Sequence, residues 1–213
     1  MSINTEGANA VELLLLLAGI SLVPALLFTV TGFTRILIVL GFIRSGLGTP
    51  TAPPNQVLVG IALFLTIFVM APTFKEVKKD AVDPLQNDKI TQIQALKRAE
   101  GPMREFMFKQ TREQDLALFV KLGKVERPKT RGDVPTWVLI PAFIISELKT
   151  AFQIGFLIFL PFLIIDLVVS ATLMSMGMMM LPPVFISLPF KILLFVLVDG
   201  WDLVTRSLVE SFN

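Results

Sequence analysis

The stretch WVLIPAFIISELKTAFQIGFLIFLPFLIIDLVVSATLMSM, Trp137–Met176, decides the fold. It is apolar almost throughout, and its only charges are Glu147, Lys149 and Asp166. Ser146, Lys149, Thr150 and Gln153 fall at i, i+3, i+4 and i+7, so a helix gathers them on one face. Glu147 lies beside that stripe but not on it. An uncharged apolar run of roughly 20 residues suffices to cross a hydrocarbon core about 30 Å thick. This stretch is therefore expected to be one long membrane-type helix, interrupted at Pro141 and Pro161.

The rest of the chain repeats the pattern. No charge occurs from Leu13 to Thr34, from Ser45 to Phe74, or between Asp166 and Lys191. A water-soluble fold has nowhere to put three such runs as well as the nearly uncharged stretch before Asp166. Over 213 residues the chain is 54% hydrophobic and only 17% charged, against about 25% charged in soluble domains. The expected fold is all-α, with about four membrane-type helices at 11–31, 55–73, 138–175 and 184–208. No basic residue precedes the first run in Met1–Asn9, so Leu13–Val30 reads as a retained membrane segment rather than a signal peptide. Phe33–Ile43, apolar but bracketed by Arg35 near its start and Arg44 just after its end, is too short to span alone. Gly46–Pro54 is a loop, Asn55 an expected N-cap, and Pro72 an expected end or kink.

Charge concentrates in the segment 75–135, a polar helical insertion between hydrophobic helix pairs within a single 1–213 unit. Ile90–Leu96, with Pro102 breaking the pattern, and Phe106–Leu122 read as two or three amphipathic helices. Gly177–Pro183 is a turn, and 184–208 is expected to be one final helix.

Several chemistries are excluded. The chain has no Cys and no His, which removes thiolate nucleophiles, Cys/His metal sites and the commonest general base. No phosphate-cradling glycine loop is present. Ser146-Glu147-Leu148-Lys149 matches S-x-x-K, but the motifs that accompany it in penicillin-binding enzymes are missing. A net charge of +2 does not argue for nucleic acid. Neither an enzymatic activity nor a cofactor is expected.

Charges inside apolar helices must pair or face water. The stripe Ser146, Lys149, Thr150 and Gln153, with Glu147 beside it, therefore reads as a pore wall or a subunit interface. Arg35, Asp166, Lys191 and Asp199 read as buried charges for inter-helix or inter-subunit ion pairs. A proton relay through Asp166, Lys149 and Asp199, as in a proton-coupled transporter, is the alternative. Five of nine Met fall in one turn region, at 174, 176, 178, 179 and 180. Met is unbranched and polarizable, suited to an irregular seal as well as to ordinary packing.

Longer motifs carry a resemblance. Phe33-Thr34-Arg35-Ile36-Leu37-Ile38-Val39-Leu40, Pro53-Pro54-Asn55-Gln56-Val57-Leu58, Arg104-Glu105-Phe106-Met107 followed by Lys109-Gln110-Thr111-Arg112-Glu113, and Ser146 through Phe156 resemble the FliP family of flagellar export-gate proteins and its injectisome relatives. So do Phe162 through Asp166, Gly177-Met178-Met179-Met180 and Phe195 through Trp201. The resemblance covers nearly the whole chain after about Leu22. It implies a helical ring of five copies with Q and R subunits, working with the B and A components of the export apparatus. Its cargo would be unfolded secreted flagellar proteins, leaving through the bacterial inner membrane at the flagellar basal body. It implies that Met178, Met179 and Met180 form a methionine gasket closing the pore, and that 75–135 lies on the periplasmic side. Loop charge alone would put that segment in the cytoplasm, but the rule is weak for long loops. The motif wording favours flagellar over injectisome use.

Overall fold

A computed structural model describes Leu17, Ser21 and residues 24–126, 128–178 and 180–212. Among these residues the chain is all-helical, with no strand. Most of the expected 11–31 helix lies outside them. Its described end is α1, Pro24–Val30, and α2, Phe33–Leu47, follows at a bend of 83°. Thr31 and Gly32 make the corner: the Phe33 amide donates to Thr31 Oγ1 at 3.2 Å, and a Cβ on Gly32 would strike the Phe212 ring at 2.5 Å.

Helix α3 covers Asn55–Val77 and continues through a π-helical turn, Lys78–Val82, into α4, Asp83–Gln86. Pro72 neither ends nor breaks it; a proline costs one ladder bond, which a long apolar helix absorbs. Asn55 is not the N-cap. Pro54 holds that position, and the side-chain Oδ1 of Asn55 accepts from the Arg44 guanidinium instead.

In the middle segment, α5 spans Gln92–Gln110 and α6 spans Glu113–Leu122. Thr91 and Gln94 form a capping box at the start of α5, each satisfying the other's exposed amide. Pro102 sits inside α5 rather than breaking it, and the break falls at Thr111–Arg112, where the backbone turns extended.

Helix α7, Thr136–Ser175, is one 40-residue helix with Pro141 and Pro161 inside it. At 1.5 Å per residue it is about 60 Å long, twice the roughly 30 Å hydrocarbon core of a bilayer. The expected single helix over 184–208 is two: α8, Pro183–Leu197, and α9, Gly200–Glu210, meet at 64°. Asp199 takes a left-handed conformation at the joint (φ 49°), which Asp tolerates better than most residues. Gly200 lets the Phe195 ring approach within 2.3 Å of where a Cβ would sit.

Two apolar cores hold these helices together. The first joins α2 to α3, α7, α8 and α9 through Phe33, Ile36, Val39, Leu40, Ile43, Leu58, Ala151, Phe162, Phe195 and Leu208. The second joins Met70 of α3 and Phe106 and Met107 of α5 to Val138, Leu139 and Phe143 of α7. Phe212 packs against both. The outer faces stay uncovered: α3 and α7 are long and apolar enough to cross a membrane, and the most apolar window of α7 is only 11% buried. Counting each bent pair as one span gives four such segments.

Candidate functional site

Two places concentrate what the sequence marked out: a polar seam along the first half of α7, and the Met-rich turn at its far end.

The seam begins with Arg35 on α2. A guanidinium has five N–H donors, and all five are used. Nε donates to Glu147 Oε2 at 3.0 Å, and Nη2 donates to Glu147 Oε1 and to Gln110 Oε1 at 2.9 Å. Nη1 donates to the Ser211 carbonyl at 2.7 Å and to Ser211 Oγ at 3.1 Å. The Phe212 ring covers the guanidinium face, with its centroid 3.9 Å from Cζ. Gln110 Nε2 donates to the Phe212 carbonyl at 2.9 Å. Arg35 thus ties α2, α5, α7 and the C-terminal residues together. Glu147 turns away from the stripe, as its spacing predicts, and toward α2.

On the other side of α7, the stripe meets the start of α6. The Arg112 amide donates to Ser146 Oγ at 3.0 Å, and Ser146 Oγ donates to Asp115 Oδ2 at 2.9 Å. Lys149 donates to Asp115 Oδ1, and the Arg112 guanidinium reaches Thr150 Oγ1 at 3.4 Å and Gln153 Oε1. All four stripe residues spend hydrogen bonds on this chain's own α5–α6 corner. Burial raises the Asp115 pKa, but the bonds from Lys149 and Ser146 and the charges of Lys149 and Arg112 prevail and hold its carboxyl below the usual carboxylate range.

Deeper along α7, Lys191 of α8 donates to Asp166 Oδ2 at 2.6 Å, and Ser187 Oγ donates to Asp166 Oδ1 at 2.6 Å. Lys191 is buried. Of the four charges expected to serve buried contacts, Arg35, Asp166 and Lys191 find partners inside the protomer. Asp199 does not join them: it is exposed at the α8–α9 joint, and its carboxylate has no ion-pair partner among the described residues. Among these residues no buried side-chain nitrogen or oxygen lacks a hydrogen bond, and no His, Cys, Asp and Glu group could hold a metal ion.

The turn after α7 runs through Met176 and Gly177 (φ 73°) to Pro182. Met174, Met176 and Met178 are exposed, and Met180 is 98% exposed. Met179 lies outside the described residues.

Sequence reasoning did not single out Asp115, Arg112, Gln110, Ser187, Ser211 or Phe212 as site residues. Asp115 carries a local signal, an acid in the first turn of α6, which also reads as helix-dipole compensation. Gln110 and Arg112 fall within the motif Lys109–Glu113 that shares in the family resemblance, but their contacts, like those of Ser187, Ser211 and Phe212, are set by which helix lies opposite.

An all-helical chain whose long apolar helices keep uncovered outer faces, with ion pairs between them, is of the membrane-protein class. The sequence model of the FliP family matches residues 16–208. The chain is 60% identical over 205 residues to the flagellar biosynthetic protein FliP of Bacillus subtilis, covering 96% of this chain and 93% of that one. It is 56% identical to the protein of the same name from Pectobacterium carotovorum, over 95% of this chain and 79% of the relative. For that of Aquifex aeolicus the identity is 47%, over 96% and 87%. The chain belongs to the FliP family, flagellar biosynthetic components of the flagellar export apparatus.

Proposed function

We propose that this chain is a pore-forming subunit of the flagellar protein export gate, conducting unfolded export substrates across the bacterial inner membrane and closed at rest by Met178, Met179 and Met180. The observation that carries the reading is the Met-rich turn. Its described side chains are left bare by the protomer, Met180 almost wholly so, although Met normally fills gaps inside cores. Several copies meeting at an axis would bring these flexible thioethers together as a deformable seal.

The uncovered faces of α3 and α7 support an assembled state. An apolar helix of about 60 Å is too long for a bilayer core of roughly 30 Å alone, so neighbouring subunits are the natural cover. Five copies with Q and R subunits, and contact with the B and A components, make up the proposed assembly. The segment 75–135 is a polar helical insertion on the periplasmic side. The subunit supplies a path and no reaction, and energy enters from elsewhere. The pairing of Asp166 with Lys191 and of Asp115 with Lys149 favours this passive reading over a proton-coupled transporter, because each carboxylate is already neutralised by a neighbour.

The test is ion conductance of membranes carrying the assembled complex, with Met178, Met179 and Met180 replaced together by Ala. Increased leakage with assembly intact is the expected result. Unchanged leakage in an intact complex overturns the gasket.

A further inference from the structure

We infer that Ser211 and Phe212 form a releasable clasp, which fastens the α8–α9 arm to the α2–α5–α7 seam through Arg35 and Gln110. The argument starts from the end of α9. The last carbonyls of a helix have no intrahelical donor and carry the negative end of its dipole. Ser211 is the C-cap of α9. Its carbonyl accepts from Arg35 at 2.7 Å, and the next carbonyl, of Phe212, accepts from Gln110 at 2.9 Å. A buried cation from one end of the chain thus caps the helix at the other, 176 positions away.

The ring of Phe212 completes the fastening. It stacks on the Arg35 guanidinium at 3.9 Å and on Phe106 at 6.3 Å, and it fills the space left open by Gly32.

The two halves of the Arg35 hub differ in what their loss would leave behind. Breaking Arg35 from Glu147 strands two opposite charges in a buried place, which is strongly unfavourable. Detaching Ser211 and Phe212 strands none. Arg35 keeps its two-point bond to Glu147 and its bond to Gln110, and with the Phe212 ring withdrawn both the freed carbonyls and the two Nη1 donors that held Ser211 can turn to water. The Glu147 half is therefore permanent and the C-terminal half detachable. Release would leave α9 held by Val204 and Leu208 in the first core and free the end of the arm that leads back through α8 to the Met-rich turn.

The test uses spin-label distance measurements on the full chain, in detergent and in assembled membranes, with labelled protomers diluted by unlabelled ones. The chain has no Cys, so paired labels are unique. One pair, Lys109→Cys with Glu210→Cys, spans the clasp. A second, Ser45→Cys with Leu157→Cys, reports on α2 against α7. The clasp variants are Phe212→Ala and the milder Gln110→Leu. The expected result is a narrow first distance that gains a second, longer population in both variants, with the α2–α7 distance unchanged. If the first distance stays single in both variants, or if both distances broaden together, the clasp is overturned.

Discussion

Arg35 and Glu147 stand 112 positions apart and meet as a two-point ion pair, each 1% exposed. Removing one partner leaves the other charged and buried, which costs roughly 3–5 kcal/mol. Arg35→Met and Glu147→Gln are each expected to lower the thermal unfolding midpoint of the detergent-solubilised chain sharply. The double variant Arg35→Met with Glu147→Leu should recover part of the loss, because no charge is stranded. Arg35→Lys should fail nearly as badly as Arg35→Met: an ammonium has three donors and no planar face, against five bonds and a stacked ring here. Single variants as stable as the parent would remove Arg35 from the centre of the fold.

The Asp115 carboxylate titrates below its ordinary range. A group whose folded pKa is depressed stabilises the fold above its unfolded pKa, near 3.9, and loses that contribution as pH falls through the folded value. Asp115→Asn should therefore be less stable than the parent at neutral pH, with the difference shrinking as pH drops below about 4. Thermal midpoints at a series of pH values give the answer, and a difference independent of pH would contradict the assignment.

How much of this was legible in the sequence depends on whether the deciding contact is local. The spacing of Ser146, Lys149, Thr150 and Gln153 put them on one face, and the structure has them there. Glu147, one residue over, faces Arg35 of α2 instead. What spacing cannot show is the opposite wall. The α6 corner that covers the stripe and the C-terminal residues that reach Arg35 are both set by packing between distant segments. Proline was the poorest guide. Pro72, Pro102, Pro141 and Pro161 all lie inside helices, since tertiary packing outweighs one lost backbone bond. The bend at Asp199–Gly200 is marked by no proline, and the apolar run Ile192–Val198 leads straight into it, so hydropathy alone reads through it.

Gly46 of α2 faces the Phe162 ring of α7. A Cβ there would lie 2.6 Å from that ring, and Phe162 is itself buried against Phe195, so it has little room to retreat. Gly46→Ala is expected to destabilise the chain by about 1–3 kcal/mol through overpacking, read as a lowered thermal midpoint. A neutral result would mean that the α2–α7 seam relaxes freely.

Gly60 of α3 gives the opposite contrast, with nothing within 4 Å of an added Cβ. Ala in a helix interior is better than Gly by about 1 kcal/mol, so Gly60→Ala should leave the isolated protomer as stable or more so. Size-exclusion chromatography of the complex then separates two environments for this face. Loss of assembly by a stable protomer would mean that a neighbouring subunit packs closely on Gly60, and normal assembly would mean that lipid or open space lies there.

Asp166 and Lys191 distinguish an ion pair from a proton relay. In the structure Lys191 is buried and both Asp166 oxygens accept, one from Lys191 and one from Ser187. If the pair only joins α7 to α8, its chemistry is dispensable and only its balance matters. Asp166→Leu or Lys191→Met alone should then impair export of flagellar proteins by leaving an unpaired charge, while the double variant restores a substantial part of it. A relay would need the titrating carboxylate itself, so the double variant would export no better than Asp166→Leu. Measuring export in cells alongside protomer abundance keeps loss of folding apart from loss of transport: recovery of both in the double variant is the outcome expected for an ion pair whose function is to hold two helices together.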